Sequence, residues 1–161
     1  MTGGTLAGSG GTLMRVAGDD AGFNETTLDA IMAGRCPVRL LKSDVDGFDY
    51  DVIESAEAVI ALSWPILFFE TLLRHDFQRQ GFERIIADLA ARGYRNWVVF
   101  DNFGEVMFTT RVDAEIIALL GYLWRQECGL ATRTVHYFDL LACTDADRSL
   151  IDRVISGYLG E

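Results

Sequence analysis

The stretch Val38 to Ile53, VRLLKSDVDGFDYDVI, decides how this chain folds. It opens on a short apolar segment, runs into a cluster of carboxylates around Gly47, and then changes its hydrophobic period. From Val38 to Asp44 the pattern predicts a strand, with Leu40, Lys42 and Asp44 on one face and Leu41, Ser43 and Val45 on the other. Beyond the glycine, Phe48, Val52, Ala56, Val59 and Ile60 recur at helical spacing. A strand that stops at acids and turns directly into a helix is how α/β proteins build ligand sites. Asp46 is placed to cap that helix, and Asp49, Asp51 and Glu54 fall where the helix dipole favours negative charge. Asp44, the last residue of the predicted strand, has no capping job and is left for chemistry. Its competing reading is an ion pair with Lys42 on the same face.

Downstream, Pro65 opens a second predicted strand, Ile66-Leu67-Phe68-Phe69, apolar without alternation and ending at Glu70. Such a run suits a strand covered on both faces. Strand, helix and strand at this spacing predict a right-handed βαβ unit, with Asp44 and Glu70 at one carboxyl edge. A helix follows over Asp76 to Arg92, with Gly93 as its stop and Gly81 weakening its first turn. Asn96 to Phe100 and Glu105 to Thr109 flank Asp101-Asn102-Phe103-Gly104, a hairpin signal. Asp113 starts a further helix ending at Gly129, Thr134 to Cys143 reads as a strand, and Thr144 with Asp147 resembles a capping pair for a last helix.

Upstream, Thr26 to Ile31 predicts a brief helix, Gly18 to Asn24 a turn region, and Thr12 to Val16 a short edge strand. The glycine-rich start, with Gly8-Ser9-Gly10-Gly11, lacks the preceding strand and the Gly-Lys-Ser/Thr that a phosphate loop needs, so residues 1–11 read as a flexible tail. Residues 12–161 then form one domain, long enough to bury a substantial core.

Composition narrows the function classes. A formal charge of −10, with Lys42 the only lysine and no basic run, argues against nucleic acid or an anionic membrane as the main partner. The longest apolar run, Ala58 to Phe69, holds Ser63 and Pro65 and falls short of the ~20 residues a membrane helix needs. Without a signal-like N-terminus, and with Cys36, Cys128 and Cys143 odd in number and scattered, the expectation is a cytoplasmic protein. His75 and His136 are isolated, so zinc is not indicated. An oxygen-ligand Mg²⁺ site of Asp44 and Glu70 is an alternative that no spacing rule supports. Trp64, Phe68, Phe69, Trp97, Phe100 and Trp124 fall on apolar faces and read as core.

Lys42-Ser43-Asp44-Val45-Asp46-Gly47-Phe48-Asp49 resembles the K-(I/L)-D-(V/I)-E-G-x-E signature of FkbM-type methyltransferases. Thr27-Leu28-Asp29, Val52-Ile53, Ala56, Pro65 through Glu70, Gly93-Tyr94 and Tyr137-Phe138-Asp139 fit the same pattern, so the resemblance spans roughly Thr12 to Arg148. Ser43 stands for an apolar residue, and Asp46 and Asp49 stand for glutamates, which shortens the side chains and keeps the charge. The resemblance implies a Rossmann-like sheet and an S-adenosylmethionine-dependent O-methyltransferase acting on a hydroxyl of a sugar, polyketide, glycan or related small molecule. For that chemistry Asp44, by its place at the strand end, is the first candidate as base, metal ligand or cofactor anchor. Glu70 at the same edge either completes the catalytic site or is merely solvated, and the resemblance adds Asp46 as a cofactor contact. The acidic, glycine-rich turn that such enzymes carry on their first strand is not found before Val38. The expectation is therefore an N-terminally incomplete domain, a truncated form of the enzyme. The rival expectation is a non-catalytic binding or interaction remnant that forms a homodimer over an exposed strand edge.

Overall fold

The chain alternates short strands with helices, and the computed structural model describes residues 26–129 and 135–160. The tail at 1–11, the strand expected at Thr12 to Val16 and the turn region at Gly18 to Asn24 lie outside the described residues. Strand β1 (Leu40–Ser43) leads through an acidic loop into helix α2 (Asp49–Glu54) and helix α3 (Glu57–Ser63), and strand β2 (Ile66–Glu70) follows. Before them stands α1 (Leu28–Met32). Helix α4 (Asp76–Arg92) precedes the hairpin β3 (Asn96–Asp101) and β4 (Val106–Thr110). Helix α5 (Asp113–Gly129), β5 (Phe138–Cys143) and α6 (Arg148–Leu159) complete the order.

The fold is α/β, with an open mixed sheet in the order β1-β2-β5-β3-β4, compatible with a Rossmann-like architecture. β1 and β2 are parallel, as the βαβ pattern predicts. β5 enters between β2 and β3 and runs antiparallel to both. One face carries Leu41, Leu67, Phe69, Val99 and Leu140, packed against Tyr50 and Ile53 of α2, Phe82 and Ile86 of α4, and Ile116 and Leu120 of α5. The other face is thinner: Ile66, Val98 and Cys143 meet Ile151 of α6. That helix runs from Asn96, whose side-chain oxygen accepts from Arg148 at 3.2 Å, to the hairpin turn, where Tyr158 donates to the Gly104 carbonyl at 2.9 Å. It therefore lies over the β3–β4 side.

Several sequence expectations are corrected. β1 ends at Ser43, so Asp44 is the first residue of the loop and not the last of the strand. The single helix expected after Gly47 is two, because Ser55 and Ala56 interrupt it and α3 takes its cap from elsewhere. Asp29 of α1 accepts from the backbone N–H groups of Ala58 and Val59 at 2.8 and 2.9 Å, satisfying donors that a helix start leaves orphaned. Asp46 is not the cap of α2: it sits in left-handed backbone (φ 52), and the position before the helix is Phe48, which has no side-chain cap. β5 begins at Phe138, with residues 135–137 outside the strand and Thr134 outside the described residues. The last helix starts after Asp147 without a side-chain cap, Asp147 being held instead by Arg39 at 2.7 Å. Among the aromatic residues, Phe69 and Trp97 are buried, whereas Trp64 is substantially exposed and stacks on Tyr94. Among the described residues no helix is long and apolar enough to cross a membrane.

Gly81 is explained by packing. An added Cβ would lie 2.5 Å from Cδ2 of Tyr50, whose ring fills the space over the helix and meets Phe82 edge-on. Alanine is favoured over glycine in a helix interior by about 1 kcal/mol, whereas overpacking a core costs about 1–3 kcal/mol. The clash wins, so Gly81→Ala should lower stability in urea denaturation. A gain in stability would contradict this packing.

Candidate functional site

The acids of the loop after β1 come to lie beside acids that are distant in sequence. In the β1–β2 register Ser43 lies opposite Phe69, which brings Asp44 alongside Glu70 at the next step. In the β2–β5 register Glu70 lies directly opposite Asp139. By strand alternation Lys42, Glu70 and Asp139 share the thin face with Phe68 and Phe100, whose rings are in edge contact beside them. Thr71 fixes this arrangement: its N–H and its hydroxyl both donate to the Phe138 carbonyl at 2.8 Å, and the hydroxyl accepts from Phe138 N–H at 3.3 Å. The ends of β2 and β5 are thereby stapled one residue beyond the Glu70–Asp139 pair.

The loop itself is built around Asp49. The sequence places this residue in the solvated first turn of a helix, but it is fully buried. Its Oδ2 accepts from Val45 N–H at 3.4 Å, turning the carboxylate back onto the loop it follows, and its Oδ1 is buried without a hydrogen-bond partner. Burial pushes its pKa up, opposed by the nearby Ser43 hydroxyl and by the backbone N–H of Val45. Ser43 Oγ is itself buried, close enough to favour the charged carboxylate but outside hydrogen-bonding geometry.

Glu70 is the most perturbed acid of the group. It is only 8% exposed, and its Oε1 has no hydrogen-bond partner. Burial first, then the charges of Asp44, Asp49, Asp139 and Asp46, push its pKa up to about 7. Asp139 is raised to about 6 by burial and by Asp44, with Lys42 opposing and Asp49 adding. Tyr137 is raised by burial and by Glu70, Asp139 and Asp44. Asp44 differs from these: its side chain is 60% exposed and pairs with Lys42 Nζ at 2.9 Å. The ion pair considered as its competing reading does form, and that hydrogen bond raises the Lys42 pKa.

The structure thus brings the expected Asp44 and Glu70 together and keeps Asp46 in the adjoining loop. It adds Asp139 and Tyr137, which sequence reasoning did not single out as site residues. Two signals could have flagged Asp139: its place in Tyr137-Phe138-Asp139, which fits the family pattern, and an acid in an otherwise apolar strand. His75 stands at the start of α4, stacked on Phe77. Among the described residues no group of His, Cys, Asp and Glu has the arrangement to hold a metal ion.

The sequence matches the Methyltransferase FkbM domain over residues 7–96. The chain belongs to this family. The match takes in β1, the acidic loop, β2 and α4, and it stops before Asp139. No curated protein and no solved structure matches the chain. Membership in the FkbM family makes this a methyltransferase domain and generally implies use of S-adenosylmethionine. The donor set at the open edge suits a cationic molecule, since carboxylates outnumber Lys42 and Glu70 Oε1 lacks a partner.

A carboxyl that is harder to ionise in the folded chain than in the unfolded chain stabilises the fold below its unfolded pKa, and that stability is lost as pH rises through the folded value. For Glu70 the window runs from about 4.5 to about 7. Stability should fall across that window, and Glu70→Gln should remove the Glu70 share of the fall, leaving the part that Asp139 contributes below about 6. The variant's gain at alkaline pH should be on the order of 2 kcal/mol, reduced from the full shift by screening at the solvent-open edge. Parallel pH–stability curves for both proteins would refute the assignment.

Proposed function

We propose that the chain is an S-adenosylmethionine-dependent O-methyltransferase in which Glu70 accepts the proton of the acceptor hydroxyl. The observation that carries this reading is the buried Glu70, with its unpartnered Oε1 and its pKa near 7, at the end of a strand inside a methyltransferase domain. A general base works best when its pKa lies near the working pH, because it is then both available and basic. The bound cofactor would supply an electrophilic methyl group. The acceptor is read as a small hydroxylated molecule such as a sugar or polyketide.

Each residue then has a task. Glu70 takes the hydroxyl proton at its carboxylate, and burial, with the charges of Asp44, Asp49 and Asp139 added, keeps that carboxylate from being too weak a base. Asp44, exposed and tied to Lys42, stands at the rim, where it anchors the cationic end of the cofactor. Asp46 adds negative charge from the same loop. The rings of Phe68 and Phe100, in edge contact on the same sheet face, lie beside the carboxyls and give the crevice an apolar side. In-line methyl transfer needs this alignment, since orientation is a large share of what catalysis supplies.

A second reading rests on a different observation. Among the described residues β1 has a neighbour on one side only, and its Leu40 is 59% exposed. A non-catalytic module dimerising across that edge fits it. The two readings separate in one set of measurements: calorimetric binding of S-adenosylmethionine, and transfer of its isotopically labelled methyl group to hydroxylated acceptors. The enzyme reading expects binding, a rate that rises as pH passes about 7 while Glu70 ionises, and a loss of about 10²–10⁴-fold in Glu70→Gln. Asp44→Ala should weaken cofactor binding. A dimer that binds no cofactor would favour the rival, and unchanged turnover in Glu70→Gln would remove that residue from the mechanism.

A further inference from the structure

Two of the charges around Glu70, those of Asp44 and Asp46, sit on a loop and a third, Asp49, opens the helix that follows it, so something must hold that loop in place. The β1–α2 loop contains two consecutive left-handed residues, Asp46 (φ 52) and Gly47 (φ 86). At Gly47 it presses against the loop that follows β2. A Cβ added there would overlap the Leu72 carbonyl oxygen and come within 2.7 Å of Gln78 Nε2. The two loops therefore touch backbone to backbone, and only glycine fits between them.

Gln78, in the first turn of α4, joins them. It is 1% exposed, an unusual place for a long polar side chain. Its Nε2 donates to the Gly47 carbonyl at 3.1 Å. Its Oε1 accepts from the N–H groups of Arg74 and His75 at 2.8 and 2.9 Å. One amide thus bridges the loop bearing Asp44 and Asp46 to the segment that leaves Glu70. Glutamine alone among the side chains offers a donor and an acceptor on a fork of this reach.

We infer that Gln78 is a positioning residue of the crevice: it locks the acidic loop after β1 to the segment after β2, and so fixes how closely Asp44, Asp46 and Asp49 approach Glu70. The inference rests on the reading of this crevice as the reaction site, but its test needs neither cofactor nor acceptor. Losing the bridge lets the loop draw away and admits water, and both changes ease ionisation of Glu70. The groups facing Glu70 are Asp44, Asp46, Asp49 and Asp139, with Tyr137 beside them. Asp139 is held by the strand register and Thr71, so it should stay in place.

The test follows the side-chain carboxyl carbon of Glu70 by NMR titration of the full chain without ligands. Gln78→Met keeps the volume and removes the bridge, whereas Gly47→Ala wedges the loops apart and leaves Gln78 intact. Both should lower the Glu70 midpoint by about one pH unit toward the ordinary carboxylate range. Arg92→Ala, which breaks the Arg92–Glu57 ion pair at the far end of the same helix, should leave the midpoint where it was even if it costs some stability. An unmoved midpoint in folded Gln78→Met or Gly47→Ala overturns the inference. If neither variant folds, amide exchange in the unaltered chain decides. Arg74 and His75 protected together support the bridge, and both exchanging like an unprotected loop overturns it. Failure of the methyltransferase reading would instead appear as absent cofactor binding with these shifts intact.

Discussion

The antiparallel pairing of β2 with β5 is the constraint on which the candidate site depends. It sets Glu70 opposite Asp139, and Thr71 closes the pair by bonding both backbone groups of Phe138. Two carboxyls on directly opposed strand positions repel one another when both are ionised. The fold tolerates this because at neutral pH the pair need not be fully charged. Register, proton affinity and chemistry are one linked property here. A strand slip of one residue would turn Glu70 toward the apolar face and dissolve the arrangement.

The helices serve that register. α2, α4 and α5 load the opposite face with Tyr50, Phe82, Ile86, Ile116 and Leu120, which fixes the sheet from one side. α6 covers the β3–β4 side of the other face and leaves the end of β1 to solvent, as the exposure of Lys42 and Asp44 records, while Glu70 at the end of β2 stays buried. Burial is thus graded across a short distance, from the fully enclosed Asp49 through Glu70 to the rim residue Asp44. That gradient leaves one carboxyl enclosed, one buried with a raised pKa and one as a solvent-facing charge.

Much of this was legible in the sequence because it is local. The apolar run ending at Glu70, the parallel β1–β2 unit, the hairpin at Asp101 to Gly104 and the family signature around Asp44 all depend on neighbours a few residues apart. What escaped is non-local. No pattern in Phe138 to Cys143 says that the strand inserts between β2 and β3, so Asp139 could not be placed beside Glu70. Asp49 reads as a surface acid by helix position, and only the fold of the preceding loop buries it. Asp46 reads as a cap by spacing, but the left-handed turn at Asp46 and Gly47 delays the helix by two residues. Gly81 reads as a defect until Tyr50 is seen against it.

Glu70 and Asp139 act electrostatically as neighbours. The most direct measurement is the carboxyl-carbon titration of Glu70 in the unaltered chain and in Asp139→Asn. The Glu70 midpoint should lie near 7 in the unaltered chain and move down when the Asp139 charge is removed. A Glu70 that titrates in the ordinary range near 4.5 in both proteins would contradict it.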